Sequence, residues 1–198
     1  MKKFIFSVAL LGMMMTSCNK CQHVEVIDGS DVDTVAVLNL ENVISLNRQD
    51  MYLNYGEEYR WYESCILLKD YLDEESDGTI AGISNVFQVV TSIDDGCDTH
   101  VVLFSCTPTD WTKEVKKGFW VEDFPLENEI IAITFKEAYD KIMSVNMPKP
   151  HSRHCVLRKE VGPNDANPQY IFGNSEAQIY VDATTGEVSD VNPVFPTE

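Results

Sequence analysis

The sequence predicts an α+β fold, two amphipathic helices packed on antiparallel sheet. Three observations carry this expectation. Stretches at 57–75 and 134–145 repeat apolar residues at helical spacing, and each is followed by short β-branched runs separated by turns. The final pair of runs, "IYVDATTGEVSDV" at 179–191, alternates with period two on either side of a glycine turn. The order of helix then strands occurs twice, which reads as a tandem of two helix-plus-three-strand units; one domain with two similar halves is the alternative.

The chain opens "MKKFIFSVALLGMMMTSC", with Lys2 and Lys3 ahead of an apolar run from Phe4 to Met15 and small residues Thr16 and Ser17 before Cys18. That run is too short to span a bilayer as a mature helix, and its layout is that of an export signal. It resembles a bacterial lipoprotein signal, whose cysteine takes a diacylglycerol on sulfur and becomes the first mature residue. Met15 and Ser17 depart from the commoner residues of that motif. The resemblance implies removal of 1–17, lipid attachment at Cys18 and an exported chain anchored to the cell envelope. Asn19 is not the Asp of an inner-membrane retention signal, so the outer membrane is favoured. An ordinary cleaved signal is the alternative.

Residues 18–31 read as a tether and 32–124 as a first α+β unit. "TVAVL" (34–38) is strand-like, and 39–56 receives no assignment. In "EEYRWYESCILLKDYLDEE" (57–75), Trp61, Cys65, Leu68 and Leu72 recur at i, i+4, i+7 and i+11, with Tyr62 and Ile66 beside them. The spacing predicts one face of a helix. Strand-like runs follow at 79–93, 100–106 and 118–124, while "KEVKK" (113–117), the densest basic run, reads as a solvated loop. In the second unit Thr134 and Glu137 form a capping box. Phe135, Ala138, Tyr139 and Ile142 share one helix face, and Pro148 and Pro150 prevent its continuation. Strands are predicted at 155–161, 169–173 and 177–182, with "EVSDV" closing the last hairpin.

The formal net charge is −17, and loss of Lys2 and Lys3 would leave 13 basic against 32 acidic residues, or −19. Such a chain is repelled by nucleic acid and by anionic headgroups, which excludes nucleic-acid partners. With Cys18 lipidated and Cys21 in the tether, Cys65, Cys97, Cys106 and Cys155 remain. Two bridges in any of three connectivities, or buried free thiols, both fit; Cys65 beside Cys106 is the favoured proximity. There is no Gly-x-Ser-x-Gly, no His-Glu-x-x-His and no phosphate-cradling glycine loop. "HSRHC" gathers His151, His154 and Cys155, but in a proline-rich linker without assured helical spacing. The reading is a non-enzyme, with no cofactor, no metal and no catalytic residue assigned.

"ITFKEAYDKIM", "QYIFGN" and "IYVDATTGEV", within residues 130–192, resemble the PepSY domain. That resemblance implies a helix on a small antiparallel sheet with a terminal hairpin in which Asp182 and Gly186 are structural turn residues. The family occurs in propeptides of secreted peptidases and in free secreted proteins that bind or inhibit peptidases. It therefore implies an extracytoplasmic protein-binding module with a secreted peptidase as partner. An envelope structural or assembly lipoprotein and a small-ligand carrier are the alternatives. A single helix covers one sheet face and leaves the other for a partner. Ile179 and Val181 are expected toward the helix, and Arg158, Tyr170 and Tyr180 on the partner surface; the alternative is that a second sheet covers that face.

Overall fold

The computed structural model describes residues 25–28, 38–73, 76–90 and 99–195. The signal, Cys18, the run at 34–37 and Cys97 lie outside the described residues.

The fold is α+β, as the sequence predicts. Its helices are α1 (Leu40–Tyr55) and α2 (Phe135–Ser144). The strands of the first half are β1 (Glu25–Asp28), β2 (Tyr59–Leu68), β3 (Ile80–Val90), β4 (Thr99–Thr107) and β5 (Asp110–Lys117). Those of the second are β6 (Asp123–Phe124), β7 (His154–Glu160), β8 (Gln169–Gly173), β9 (Gln178–Asp182) and β10 (Val188–Ser189). Nine strands form one antiparallel sheet in the order β1-β5-β4-β3-β2-β7-β8-β9-β10, and β6 pairs with the end of β7. β1 falls within the stretch read as a tether, and its backbone pairs with Thr112–Val115 of β5.

Three expectations change. Residues 59–68 are not helix but strand. A bulge between Trp61 and Glu63 shifts the phase of β2, so that Trp61, Ser64, Ile66 and Leu68 share one face. That spacing mimics a helical stripe. The basic run at 113–117 is not a solvated loop but the greater part of β5, with Lys113 only 3% exposed. Of 118–124, only Asp123–Phe124 is strand.

The helix of the first half lies instead at 40–55, a stretch whose sequence predicts no element. Asn39 caps it by accepting from the Asn42 amide at 2.9 Å, Glu41 sits in its first turn, and Gly56 at φ +63° ends it. Its buried stripe is Leu40, Val43, Ile44, Asn47 and Met51. Asn47 Oδ1 accepts from Asn85 Nδ2 at 2.6 Å and Asn85 Oδ1 in turn accepts from Ser64, while Asn47 Nδ2 is buried without a partner. α2 forms as expected, with both halves of the Thr134–Glu137 capping box made and Phe135, Ala138, Tyr139 and Ile142 buried.

α1 packs on β2 and β3, and α2 on β9. Their apolar stripes belong to one continuous core with Trp61, Phe87, Phe104, Leu157, Phe172 and Val181. Both helices therefore cover the same face of the sheet. Lys113 reaches this core from β5, its Nζ 2.5 Å from Asp50 Oδ2 on α1 and 5.5 Å from the ring centres of Tyr55 and Phe104.

Cys65, Cys106 and Cys155 are free thiols. The favoured proximity of Cys65 to Cys106 does not hold. β3 separates their strands, which puts them about 10 Å apart, two strand spacings. Cys106 packs against the helix-side core, whereas Cys65 pairs with Ser84 on the opposite face.

Candidate binding face

Strand register decides which side chains face away from the helices, because successive residues alternate between faces. Trp61, Ile66, Phe87, Phe104 and Cys155 point to the core. Their neighbours Glu63, Cys65 and Leu67 on β2 point outward, as do Ser84, Val86 and Gln88 on β3. Val101, Leu103 and Ser105 on β4 and Val156 and Arg158 on β7 join them.

The centre of this outer face carries no charge. Leu67, Cys65, Ser84, Leu103 and Val156 are half-buried and Ser105 is exposed. The Ser84 and Ser105 hydroxyls lie 3.1 Å apart. In a chain with 32 acidic residues, an uncharged stretch across four adjacent strands is a compositional exception. Proteins keep charge out of surface patches whose centre is meant to be desolvated by a partner.

Two segments cross the margins of the face. Residues 118–124 leave the end of β5 and return to β7, passing β4, β3 and β2. Trp120 donates its amide to Gln88 Oε1 at 2.7 Å and its indole Nε1–H to Asp123 Oδ2 at 2.9 Å. Beneath this crossing sits a charged cluster. Arg158 lies 3.8 Å from Glu63 and 3.8 Å from Asp123, and also pairs with Glu160. The Asp123 side chain is fully buried, its Oδ1 without a hydrogen-bond partner, and the Glu63 side chain is 9% exposed. Burial and the neighbouring Glu63 charge push the Asp123 carboxyl up to about 7. Burial raises Glu63 as well, although the Cys65 thiol donating to its Oε1 at 3.1 Å and the Arg158 charge pull the other way. The guanidinium remains charged: burial opposes it, but Asp123, Glu160 and Glu63 together raise its pKa.

At the other margin the C-terminal segment folds back. Val194 and Phe195 pack over Gly162, and Asn192 Nδ2 donates to Glu160 Oε2 at 3.1 Å.

Of the residues expected on a partner surface, Arg158 is on the outer face, engaged by three carboxylates. Tyr180 points away from the helices but is only 5% exposed, its hydroxyl donating to Gln178 at 2.5 Å. Tyr170 is a correction. It points toward the helices, 1% exposed, packed on Phe135 and donating its hydroxyl to Ile133 O at 3.0 Å. Ile171 takes the outward place. Gln169 through Phe172 are all buried, so no polar alternation in "QYIF" marks its two sides.

The terminal turn is built from the expected residues. Asp182 Oδ1 accepts from the amides of Thr184 and Thr185 at 2.8 and 2.7 Å, and Oδ2 accepts from Asn167 Nδ2. Burial alone would raise the Asp182 carboxyl, but these hydrogen bonds hold it below its ordinary value. Gly186, at φ +76°, donates its amide to Asp182 O.

Glu63, Asp123 and Glu160, which complete the cluster around Arg158, carry no local sequence signal. They lie nearly a hundred residues apart along the chain and converge only through the β2–β7 pairing and the β2 bulge.

On the helix side, a cleft of about 290 Å³ opens between α1 and residues 126–131, with Ile44, Trp61, Leu126 and Tyr170 among its walls. Glu127 lines it and accepts the Trp61 amide at the β2 bulge. Among the described residues no three His, Cys, Asp or Glu side chains are grouped to hold a metal ion. His151 instead stacks on Tyr71 and bonds Asp73 at 2.9 Å. Comparison with family models, with curated proteins and with solved structures returns no match.

Proposed function

We propose that this chain is an extracytoplasmic, lipid-anchored binding protein without catalysis of its own, and that its uncharged outer sheet face docks another protein. A secreted peptidase is the partner class. The observation that carries the reading is the charge-free stretch from Leu67 to Ser105 on a face that neither helix covers. The PepSY-like run at 130–192 supports the choice of partner, and the signal ending at Cys18 supports the location.

The finer architecture belongs to the same proposal. Among the described residues of 57–124 there is no helix, but α1 followed by β2 to β5 has the same order as α2 followed by β7 to β10. Each half is then one helix on a four-stranded meander, and the β2–β7 pairing joins the two meanders edge to edge. Two units that each leave a sheet face open build one wide platform when joined this way.

The test is capture from the secreted fraction of the native culture, with peptidase activity followed on addition of the purified protein. A peptidase is recovered and its activity falls. Ser105→Arg places a long cation in the centre of the face without touching the core, and weakens that capture about tenfold or more. Recovery of envelope complexes, with no peptidase among them, would instead favour the structural lipoprotein.

A further inference from the structure

Residues 118–124 are anchored unevenly. At one end Gly118, with φ +147°, donates to Thr99 O at 3.0 Å; at the other, the Leu126 amide donates to Trp61 O at 2.7 Å and the Leu126 side chain is 2% exposed. Between these points Phe119 and Val121 are 73% and 62% exposed. The segment is held down by the two-residue β6–β7 pairing, by Glu122 O accepting from the Val161 amide at 3.4 Å, by Lys159 over the Phe124 ring, by Trp120 on Gln88, and by Asp123. Asp123 is the single side chain of the segment that is fully buried under it, and its Oδ1 has no hydrogen-bond donor.

We infer that residues 118–124 form a proton-held strap across the outer face, closed while Glu63 and Asp123 share one proton and released when both ionise. The count of charges carries the argument. Three carboxylates, Glu63 from β2, Glu160 from β7 and Asp123 from the strap, surround one guanidinium, Arg158. With one proton on the Glu63–Asp123 pair the group carries −1. Loss of that proton to water leaves −2 in a site where two of the three carboxylates are almost entirely dehydrated. The remaining neighbours do not compensate. Glu122 on the strap adds a further negative charge, and Cys65 on β2 and Trp120 offer only neutral donors. Tyr180 on β9 and Asn192 in the C-terminal segment meet Arg158 and Glu160 from the far side without charge. Asp123 alone among the carboxylates can relieve the repulsion by leaving, because it sits on a two-residue strand at the end of β7, whereas Glu63 and Glu160 belong to β2 and β7 of the main sheet.

The sign follows. The closed strap binds the proton more tightly than the open one, so closure is favoured at acidic pH and weakens as pH rises toward and through neutrality. The strap is a property of the chain alone and stands whether or not the outer face takes a peptidase.

Amide hydrogen exchange of residues 119–124, corrected for the intrinsic chemical rate and measured at pH 5.5 and 8.5, tests it. In the unmodified protein, protection of these amides falls about tenfold or more at the higher pH, while β3 and β4 stay equally protected. Asp123→Asn keeps an acceptor for the Trp120 indole and cannot ionise; its strap amides are equally protected at both pH values. Glu63→Gln removes the competing charge from the other side and shrinks the dependence to the part that burial of Asp123 sustains, and protected β3–β4 amides report that each variant is folded. An unmodified strap indifferent to pH, a dependence that survives in both variants, or loss of protection across the whole sheet would overturn the inference.

Discussion

Gly186 and Glu187 are neighbours in one turn with different demands on their side chains. A Cβ at Gly186 would lie 2.7 Å from Lys141 Cε and 3.2 Å from Ile133 Cδ1, on a backbone already at φ +76°. Gly186→Val should therefore cost about 1–2 kcal/mol or more, whereas Glu187→Gln on the exposed flank should stay within about 0.5 kcal/mol. Thermal melts of the two variants decide the order, and a more damaging Glu187→Gln would reopen a functional role for that acid. A similar asymmetry divides the Lys113–Asp50 pair. Lys113 is 4% exposed at its side chain and Asp50 is 30% exposed. Asp50→Asn strands a dehydrated ammonium and should cost about 3 kcal/mol, while Lys113→Met leaves a carboxylate that water can still reach and should cost less. Denaturant midpoints of the two variants give the comparison.

The elements that misled the sequence reading did so for physical reasons. In α1 the stripe that meets the sheet includes Asn47, while Leu46, Tyr52 and Leu53 are exposed, so apolar residues do not mark the buried side. In β2 the bulge at Tyr62 breaks the alternation, and the apolar residues on either side of it fall at helical spacing. α2, with its capping box and clean stripe, and the β8–β9–β10 meander, with its turn residues, were legible because local chemistry and tertiary burial agree there. The platform itself was not legible, since it arises from pairing β2 with β7, a contact across some ninety residues. The Asn47 stripe makes a testable point. Asn47→Leu would complete the apolar face of α1, yet it leaves Asn85 Nδ2 without its acceptor in a buried site. Because it also removes the buried, unpaired Asn47 Nδ2, one orphan amide replaces another, and the change should stay within about 1 kcal/mol, measured by chemical unfolding, rather than give the roughly 2 kcal/mol gain of a newly buried leucine.

Across the whole molecule, buried carboxyls set an uncommon pH profile. Asp123 is pushed up to about 7 by burial and Glu63, and Glu63 and Glu127 are raised chiefly by burial. The folded chain therefore binds protons more tightly than the unfolded chain from about pH 4 upward, and stability falls as pH rises toward 7. Asp182 and Glu137 have the opposite sign. Their hydrogen-bonded carboxylates lie below their ordinary values, and their contribution is lost as pH falls below about 4. The melting temperature should accordingly be higher at pH 5 than at pH 8 and should drop again below about pH 3.5. Relief of self-repulsion in a chain of net charge −17 acts in the same direction, but salt screens that part and leaves the buried pair. A difference between pH 5 and 8 that persists in high salt and shrinks in Asp123→Asn identifies the buried carboxyls as its source.

A nine-stranded open sheet has two borders, and each is blunted. One ends at β10, only two residues long and followed by a turn in which Ser189 Oγ donates to Val191 O before Pro193. The other ends at β1, four residues that begin with Glu25 and end with Asp28. Among the described residues neither border offers a long neutral row of unpaired amides and carbonyls onto which a second copy could add its own strand. Copies of this chain can thus crowd together without their wide sheets joining border to border.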